Sequence, residues 1–287
     1  MKHPARSPAR SEWRQILVRT WRESQEDNVG FLAAGVAFYA FLAFVPLLAA
    51  AVLVYGLVAD PPTVAKHISA LFQSLPRDAA ALIADQLKGM TRTPNAAKGL
   101  SLAVAVLLAL YGASQGAGGI VTALNIAFEV KETRGFVRTS LLALAMTIGG
   151  LLVIALWIGV IALTAAIEAL LPSASGSVHF LAQALLWTLA VAAASVAIAL
   201  VYRFAPNHPR RRWRWITPGS SAASLLWLLA SFGFGFYAAR LGHYNATYGA
   251  LGGVVVLLTW LYLSAYILLL GGELNAQIEK MRSATGA

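Results

Sequence analysis

The sequence predicts an all-α membrane protein with six transmembrane helices. Apolar residues make up 59% of its 287 residues, and charged residues only 12%. Six stretches of 25 or more residues contain no Lys, Arg, Asp or Glu, and about 20 apolar residues are enough to cross the hydrocarbon core of a bilayer. These stretches lack the alternation of a strand, so we expect helices, which pair all their backbone groups internally.

The six spans are predicted at about residues 29–58, 99–125, 140–167, 178–202, 215–239 and 247–272. The fourth begins after a turn that Pro172 and Gly176 predict. Residues 1–28 are predicted to form a cytoplasmic amphipathic tail, 60–98 a periplasmic helical segment, and 279–287 a cytoplasmic C-terminal tail. The apolar run that follows the tail is too long for the core of a cleaved signal peptide.

The distribution of basic residues predicts the orientation. Of the 22 Lys and Arg residues, 16 fall on the side of the two termini and six on the opposite side, which predicts that both termini are cytoplasmic. The net charge of +10 would also suit nucleic-acid binding. Topology-setting cations explain this charge more simply, and no nucleic-acid partner is expected.

Two extramembrane pieces are amphipathic. In the N-terminal tail one arc of helix carries apolar and aromatic residues, which predicts a helix lying in the plane of the lipid headgroups. Segment 60–98 is predicted as two short helices, at about 62–73 and 77–90, which either pack on the outer membrane face or bind a partner protein. The residues of the N-terminal arc are Trp13, Ile16, Leu17, Thr20 and Trp21.

The sequence offers no recognisable catalytic or metal-binding set. It has no Cys, its five His are scattered without ligand spacing, and its acids form no pattern suited to paired metals. Glu23, Glu26 and Asp27 are interpreted as a solvated face, and Glu129 and Glu132 as part of a charged helix end. We therefore expect no enzyme activity, no cofactor and no metal.

Polar residues within the spans are the predicted functional positions, because burying such groups in a membrane is costly. Gln115 and Asn125 lie in the second span, and Glu273 and Asn275 end the sixth. The sequence leaves two alternatives for Glu273. It is either hydrated at the inner interface or buried and paired with a cation such as Arg203 or Arg138.

Residues 240–253 form the predicted outer turn between the last two spans. Asn245 is expected to cap the sixth span, and Arg240 near it either is an ordinary turn residue or binds an anionic headgroup. At the inner face, Arg210, Arg211 and Arg212 either set topology or bind lipid headgroups. Gly-x-x-x-Gly pairs at 112–116 and 249–253 allow close helix packing, within one chain or in a homo-oligomer.

Four motifs resemble the BrkB/YihY family: FLAAGVAFYAFLAFVPLLAA from residue 31, YGASQGAGGIVTALNIAFEVKETRGFVR from 111, YRFAPN from 202, and the stretch from YNATYGALGG at 244 to LGGELNAQI at 278. The resemblance covers nearly the whole chain and implies a multi-pass bacterial inner-membrane protein with six helices. The family was formerly labelled ribonuclease BN. Its family-like positions here are Tyr39, Pro46, Asn125, Arg134, Pro206, Asn207, Tyr244, Asn245, Tyr248, Gly249, Glu273 and Asn275.

Three functions follow as hypotheses. The first is transport or handling of lipid or a small anionic solute without ATP, with membrane lipids as partners. The second is a scaffold that recruits envelope proteins through segment 60–98, and the third and weakest is a tRNA-processing ribonuclease. The predicted cavity and headgroup-binding residues are Gln115, Asn125, Arg134, Asn207, Arg210, Arg211, Arg212, Arg240, Asn245, Tyr248, Glu273 and Asn275.

Overall fold

The computed structural model describes residues 10–58, 95–170, 176–207, 216–241 and 245–285, and all regular secondary structure within these ranges is α-helical. This confirms the predicted all-α class. Most of segment 60–98 and the arginines at 210–212 lie outside the described residues, as do the side chains of Arg240, Asn245 and Tyr248. The seven helices of the described residues are α1 (Arg10–Glu26), α2 (Val29–Val58), α3 (Asn95–Ala127), α4 (Phe136–Leu170), α5 (Gly176–Phe204), α6 (Pro218–Leu241) and α7 (Asn245–Thr285).

Several helices are long and apolar enough to cross a membrane. Among the described residues four helices meet this condition, and a fifth does if α1 and α2, bent by 65° where they meet, count as one span. The count of six spans and the orientation of the termini remain predictions. The four stretches are Gly99–Ala127, Gly176–Phe204, Pro218–Tyr237 and Gly252–Ser283.

The bend between α1 and α2 is made by Asn28. Its backbone has a φ of 54°, a left-handed conformation that Asn tolerates better than most residues and that commonly ends helices. The Asn28 side chain donates a hydrogen bond to the carbonyl oxygen of Glu26 at 3.1 Å, which satisfies one acceptor at the end of α1. We call this α1–α2 junction, residues 23–31, the elbow.

The C-terminal half of α7 is enclosed by other helices. Residues 271–278 are all buried, so other elements surround this length of helix on every side. Ile16 of α1 packs against Leu274 and Ile278, and the end of α3 contributes Ala127 and Phe128 to a cluster with Ala276 of α7. We call residues 271–278 the enclosed segment.

Glycines set how closely the neighbours approach the enclosed segment. A Cβ atom on Gly271 would overlap the hydroxyl of Tyr202 and the carbonyl of Gly219, and one on Gly272 would overlap the side chain of Leu124. Three helices, α3, α5 and α6, therefore meet α7 at these two glycines. The Tyr202 hydroxyl also donates a hydrogen bond to the carbonyl of Leu268, which fixes α5 against α7.

The first predicted Gly-x-x-x-Gly pair packs two helices of the same chain. A Cβ atom on Gly112 would lie 2.8 Å from the backbone nitrogen of Ala43, and one on Gly116 would contact Tyr39 at 3.7 Å. These contacts place α3 directly against α2 and give the pair an intrachain role. The oligomeric state remains a prediction.

Two helices differ from the sequence expectation. The last helix continues to Thr285, so residues 279–285 extend α7 instead of forming a tail. The N-terminal tail is a helix, but its arc is split: Ile16 and Thr20 are buried in the protein, whereas Leu17 and Trp21 are more than half exposed. One edge of this apolar arc packs against α7, and the other edge is exposed.

Candidate functional site

Two groups of polar residues, each built around buried members, stand out in the described chain. The first, which we call the loop network, consists of Asn125, Glu132, Arg134 and Asn207 and joins the loop after α3 to the end of α5. The second is the enclosed segment of α7 with the elbow that covers it. The two groups differ in how well their polar atoms are paired.

Asn125 is the buried centre of the loop network. It lies on the last turn of α3 and is 6% exposed. Its side-chain amide donates to Glu132 Oε2 at 2.9 Å, and its side-chain oxygen accepts the backbone N–H of Asn207 at 2.7 Å. One side chain therefore holds both the following loop and the chain after α5, two segments far apart in sequence.

Arg134 completes the network from the loop side. Its guanidinium binds both carboxylate oxygens of Glu132, at 2.8 and 2.6 Å, a strong bidentate arrangement. The same group donates to the carbonyls of Phe204 at 3.1 Å and Ala205 at 2.6 Å. These carbonyls belong to the end of α5, where backbone acceptors have no helical partner and positive charge is favoured.

The charge of Glu132 is strongly stabilised. The side-chain hydrogen bond from Arg134, helped by the Arg134 backbone N–H and the amide of Asn125, lowers the pKa of Glu132 to about 2. Asn207 adds a further connection, since its side-chain amide donates to the carbonyl of Lys131 and to Thr133 Oγ1. Every member of the loop network thus has partners, as expected of a structural cluster.

In the enclosed segment, Asn275 anchors the start of α6. Its side-chain oxygen accepts the backbone N–H of Gly219 and its amide donates to Thr217 Oγ1, both at 2.9 Å. Thr217 and Ser220 also exchange hydrogen bonds between side chain and backbone, which is a capping-box geometry. Asn275 therefore provides a partner for the backbone N–H of Gly219, one of the first amides of α6, which have no helical acceptor.

Glu273 is the exception within the enclosed segment. It is 1% exposed, and neither of its carboxylate oxygens has a hydrogen-bond partner among the described residues. Gln277, one turn further along α7, is also buried, and its amide nitrogen has no hydrogen-bond partner there. Glu273 is thus buried, as the second alternative from the sequence expected, and among the described residues no cation is hydrogen-bonded to its carboxylate.

A cavity of about 300 Å³ opens at the elbow near this face of α7. By helical spacing Tyr262, Tyr266 and Glu273 lie on one face of α7, and the centroids of the two Tyr rings are 6.1 Å apart. The elbow supplies the opposite wall, with three polar side chains. The lining residues are Ser24, Gln25, Asn28, Gly30, Phe31, Tyr262 and Tyr266.

We expected the predicted site residues to line one cavity, but the structure divides most of the described ones between the two groups. Asn125, Arg134 and Asn207 share the loop network, while Glu273 and Asn275 share the enclosed segment. Gln115 is exposed on α3, about 15 Å along the helix from Asn125, and it joins neither group. The roles of Arg210, Arg211, Arg212, Arg240, Asn245 and Tyr248 remain predictions.

Two important residues were not predicted from the sequence. Glu132 was set aside because charges of both signs surround it, yet that alternation is what makes its ion pair with Arg134 at 2.6 Å. Asp27 was interpreted as solvated, although the structure places it half-buried in the turn before α2. Within the described chain no three His, Cys, Asp or Glu are placed to hold a metal ion.

Comparison with known proteins points to one family. Residues 20–287 match the sequence profile described as Virulence factor BrkB. The chain is 30% identical over 205 residues to YfkH of Bacillus subtilis (strain 168), which is named a ribonuclease-like protein, covering 67% of this chain and 70% of that protein. It is 29% identical over 271 residues to a UPF0761 membrane protein of Xanthomonas campestris, covering 91% of this chain.

A third relative, a UPF0761 membrane protein of Tolumonas auensis, is 42% identical over 81 residues, which is 28% of this chain and 26% of that protein. The chain spans about 60% of the length of the Xanthomonas relative. No solved structure matches this chain.

Proposed function

Because this chain belongs to the Virulence factor BrkB family, and because Glu273 lies unpaired at the centre of a membrane protein, we propose that it moves or handles a lipid or a small anionic solute in the bacterial inner membrane without ATP. Ionisable groups buried among membrane helices are costly and commonly mark transport pathways. The unpaired Glu273 carboxyl is the single observation that carries the proposal.

The contrast with neighbouring polar residues supports a functional role for Glu273. Asn275, two positions along the same buried helix, has both side-chain atoms engaged with α6. A carboxyl kept only for packing would be replaced by an apolar residue or paired in the same way, since an unpaired buried charge is strongly destabilising. Glu273 has neither feature, so its cost is best explained by a function.

The direct test is transport in proteoliposomes. Purified protein is reconstituted, and two probes are followed: the movement of fluorescently labelled phosphatidylglycerol between leaflets and the release of trapped inorganic phosphate. We expect one probe to move at least ten times faster than in empty liposomes, and Glu273→Gln to abolish the gain. Glu26→Gln is the matched control, because Glu26 is exposed and pairs with Arg22. No movement of either probe would contradict the proposal.

Native mass spectrometry separates the two substrate classes. A lipid of defined mass that stays bound after release from mild detergent, and is lost when Arg240 or the arginines at 210–212 are changed to Ala, would favour lipid handling. A protein that carries only generic phospholipid would favour solute transport.

The orientation is part of the proposal and is testable by labelling. The chain has no Cys, so a single Cys introduced at one position reports its side of the membrane. We expect Ser283→Cys to react with a membrane-impermeant thiol reagent only from the cytoplasm, and Ser177→Cys only from the periplasm. Labelling of both from one side would contradict the six-span topology.

The two other hypotheses have their own tests. A scaffold acting through residues 60–98 would lose partner capture when that segment is deleted while the membrane helices stay folded. A ribonuclease would cleave tRNA in a metal-dependent manner as pure protein, and we propose that this protein is not an enzyme and does not do so. The name of YfkH describes that relative alone.

A further inference from the structure

The cavity at the elbow is lined by aromatic rings and by neutral polar side chains, with no charged side chain among its described lining residues. Its volume of about 300 Å³ is at the lower end of the range for small-molecule sites, which suits a lipid headgroup better than a whole phospholipid. The rings belong to Phe31, Tyr262 and Tyr266, and the polar side chains to Ser24, Gln25 and Asn28.

Two of the polar side chains offer acceptors to the cavity, because they direct donors to the backbone of α1. The Ser24 hydroxyl donates to the carbonyl of Trp21 at 2.7 Å, and the Asn28 amide donates to the carbonyl of Glu26 at 3.1 Å. The hydroxyl oxygen of Ser24 and the side-chain oxygen of Asn28 can still accept hydrogen bonds. A ligand that is rich in donors therefore matches this wall of the cavity.

The charge of the elbow favours a cationic ligand. Residues 23–31 include three acids, Glu23, Glu26 and Asp27, and no Lys, Arg or His. Each acid is adjacent in sequence to a residue that lines the cavity, about 3.8 Å away along the backbone. Arg22, just before the elbow, is paired with Glu23 and Glu26 at 3.8 and 3.4 Å. The surplus of negative charge beside the cavity attracts a positive group and repels an anion.

The elbow lies where the chain enters the predicted membrane. Charged residues are distributed along α1, whereas α2 has none from Val29 to Val58, so a membrane-spanning α2 begins at the elbow. Trp21 before the bend and Phe31 after it are 59% and 82% exposed, and exposed aromatic rings at this depth are typical of a lipid interface. The cavity is therefore at the level of the lipid headgroups.

An apolar face continues from the cavity along the two helices that form it. On α2, Phe31, Phe38 and Leu42 are exposed at helical spacing, and at Gly35 between them an added Cβ atom would meet no atom within 4 Å. On α7, Val255 is exposed two turns away from the cavity. The face on α2 is about 16 Å long, roughly the depth of one leaflet, so an acyl chain can lie along it.

We propose that the elbow cavity binds a phospholipid whose headgroup is a primary amine, as in phosphatidylethanolamine, with an acyl chain along the exposed face of α2. An ammonium group has three donors and no acceptor, which matches the oxygens of Ser24 and Asn28. The faces of the three aromatic rings attract the same cation, and the phosphate stays hydrated at the open side of the cavity. The inference rests on the proposed lipid handling for its role, but not for its chemistry.

Native mass spectrometry of the purified full-length protein tests this site. The protein is incubated in mild detergent with equal amounts of phosphatidylethanolamine and phosphatidylglycerol that carry the same acyl chains, so only the headgroups differ. We expect about five-fold more bound phosphatidylethanolamine, as is typical of a site with cation–π contacts.

Variants of the lining residues locate the preference. Tyr262→Leu removes one ring, and Gly30→Leu fills the cavity, since even a Cβ atom at Gly30 would lie 3.3 Å from the Tyr262 hydroxyl. Both should abolish the preference. Tyr237→Leu is the matched control, because it removes a ring that is exposed on α6, and it should keep the preference.

A smaller change covers the case in which these variants do not fold, which their melting temperatures report. Ser24→Ala removes one acceptor and should lower the preference. Ser231→Ala is its control, because the Ser231 hydroxyl makes the same kind of bond to the carbonyl of Trp227, at 2.7 Å, on another helix.

Three results would overturn the site. The first is equal binding of the two lipids or a preference for phosphatidylglycerol, and the second is a preference that the lining variants leave unchanged. The third is displacement of the lipid by an equal amount of soluble glycerophosphoethanolamine, which would assign the cavity to a soluble amine.

Transport measured with labelled phosphatidylethanolamine separates this inference from the proposed function. Selective binding at the elbow in a protein that moves neither this lipid nor the other probes would keep the lipid site and remove its proposed role. Lipid movement without selective binding would keep the transport proposal and overturn the elbow site.

Discussion

The loop network and the enclosed segment lie at the same end of the helices and use similar residues in opposite ways. In the loop network the carboxylate of Glu132 receives hydrogen bonds from Arg134 and Asn125. In the enclosed segment the carboxyl of Glu273 receives none from the described residues. Side-chain pairing therefore distinguishes a carboxylate that holds the fold from one whose burial needs a functional explanation.

The largest effect should come from removing Arg134. Arg134→Ala deletes the bidentate pair with Glu132 and the bonds to the carbonyls of Phe204 and Ala205, and it leaves partly buried acceptors unpaired. We expect the free energy of unfolding to fall by about 3 kcal/mol. Thermal unfolding in detergent measures this effect. Arg138→Ala, at an exposed position on α4, should change the melting temperature little, and equal losses in both variants would contradict the structural role.

A smaller loss is expected when the anchor of α6 is removed. Asn275→Ala leaves the backbone N–H of Gly219 and the hydroxyl of Thr217 without this partner, which should cost about 1–2 kcal/mol. The loss should also be local, so hydrogen exchange at residues 219–221 should increase more than exchange in α5. Uniform exchange along the chain would show that Asn275 does not act through the start of α6.

Strong acid should weaken the loop network. The pKa of Glu132 is lowered to about 2 from 4.5, so its ion pair contributes fully above about pH 4.5 and this contribution is lost as pH falls towards 2. The difference in melting temperature between the wild type and Glu132→Gln should therefore shrink across that interval. A constant difference from pH 6 to pH 2 would contradict the assigned cause.

The all-α class could be predicted from the sequence, because a long charge-free stretch can cross a membrane in few ways other than as a helix. It also pointed to Asn125, Asn207, Glu273 and Asn275, since each is polar in or beside an apolar helix. The partners of these residues could not be predicted. Asn125 and Asn207 are 82 positions apart, and only the packing of α3 beside α5 brings them together.

Local sequence was misleading where charges of both signs are close. Glu132 and Arg134 look like a solvated helix end, but the left-handed backbone at Glu129, with a φ of 51°, ends α3 and turns the loop back towards Asn125. Asp27 also looks solvated in the sequence, because other charged residues lie close to it. The structure half-buries Asp27, because the bend at Asn28 sets α1 along the C-terminal half of α7.

Thermal unfolding and transport, measured together on Glu273→Gln, test the central claim most directly. Because Gln has the shape of Glu without a carboxyl that can ionise, the account predicts a melting temperature equal to or above that of the wild type, with transport per folded molecule reduced at least ten-fold. A melting temperature lowered by several degrees, with transport per folded molecule unchanged, would contradict it and make Glu273 a structural residue like Asn275.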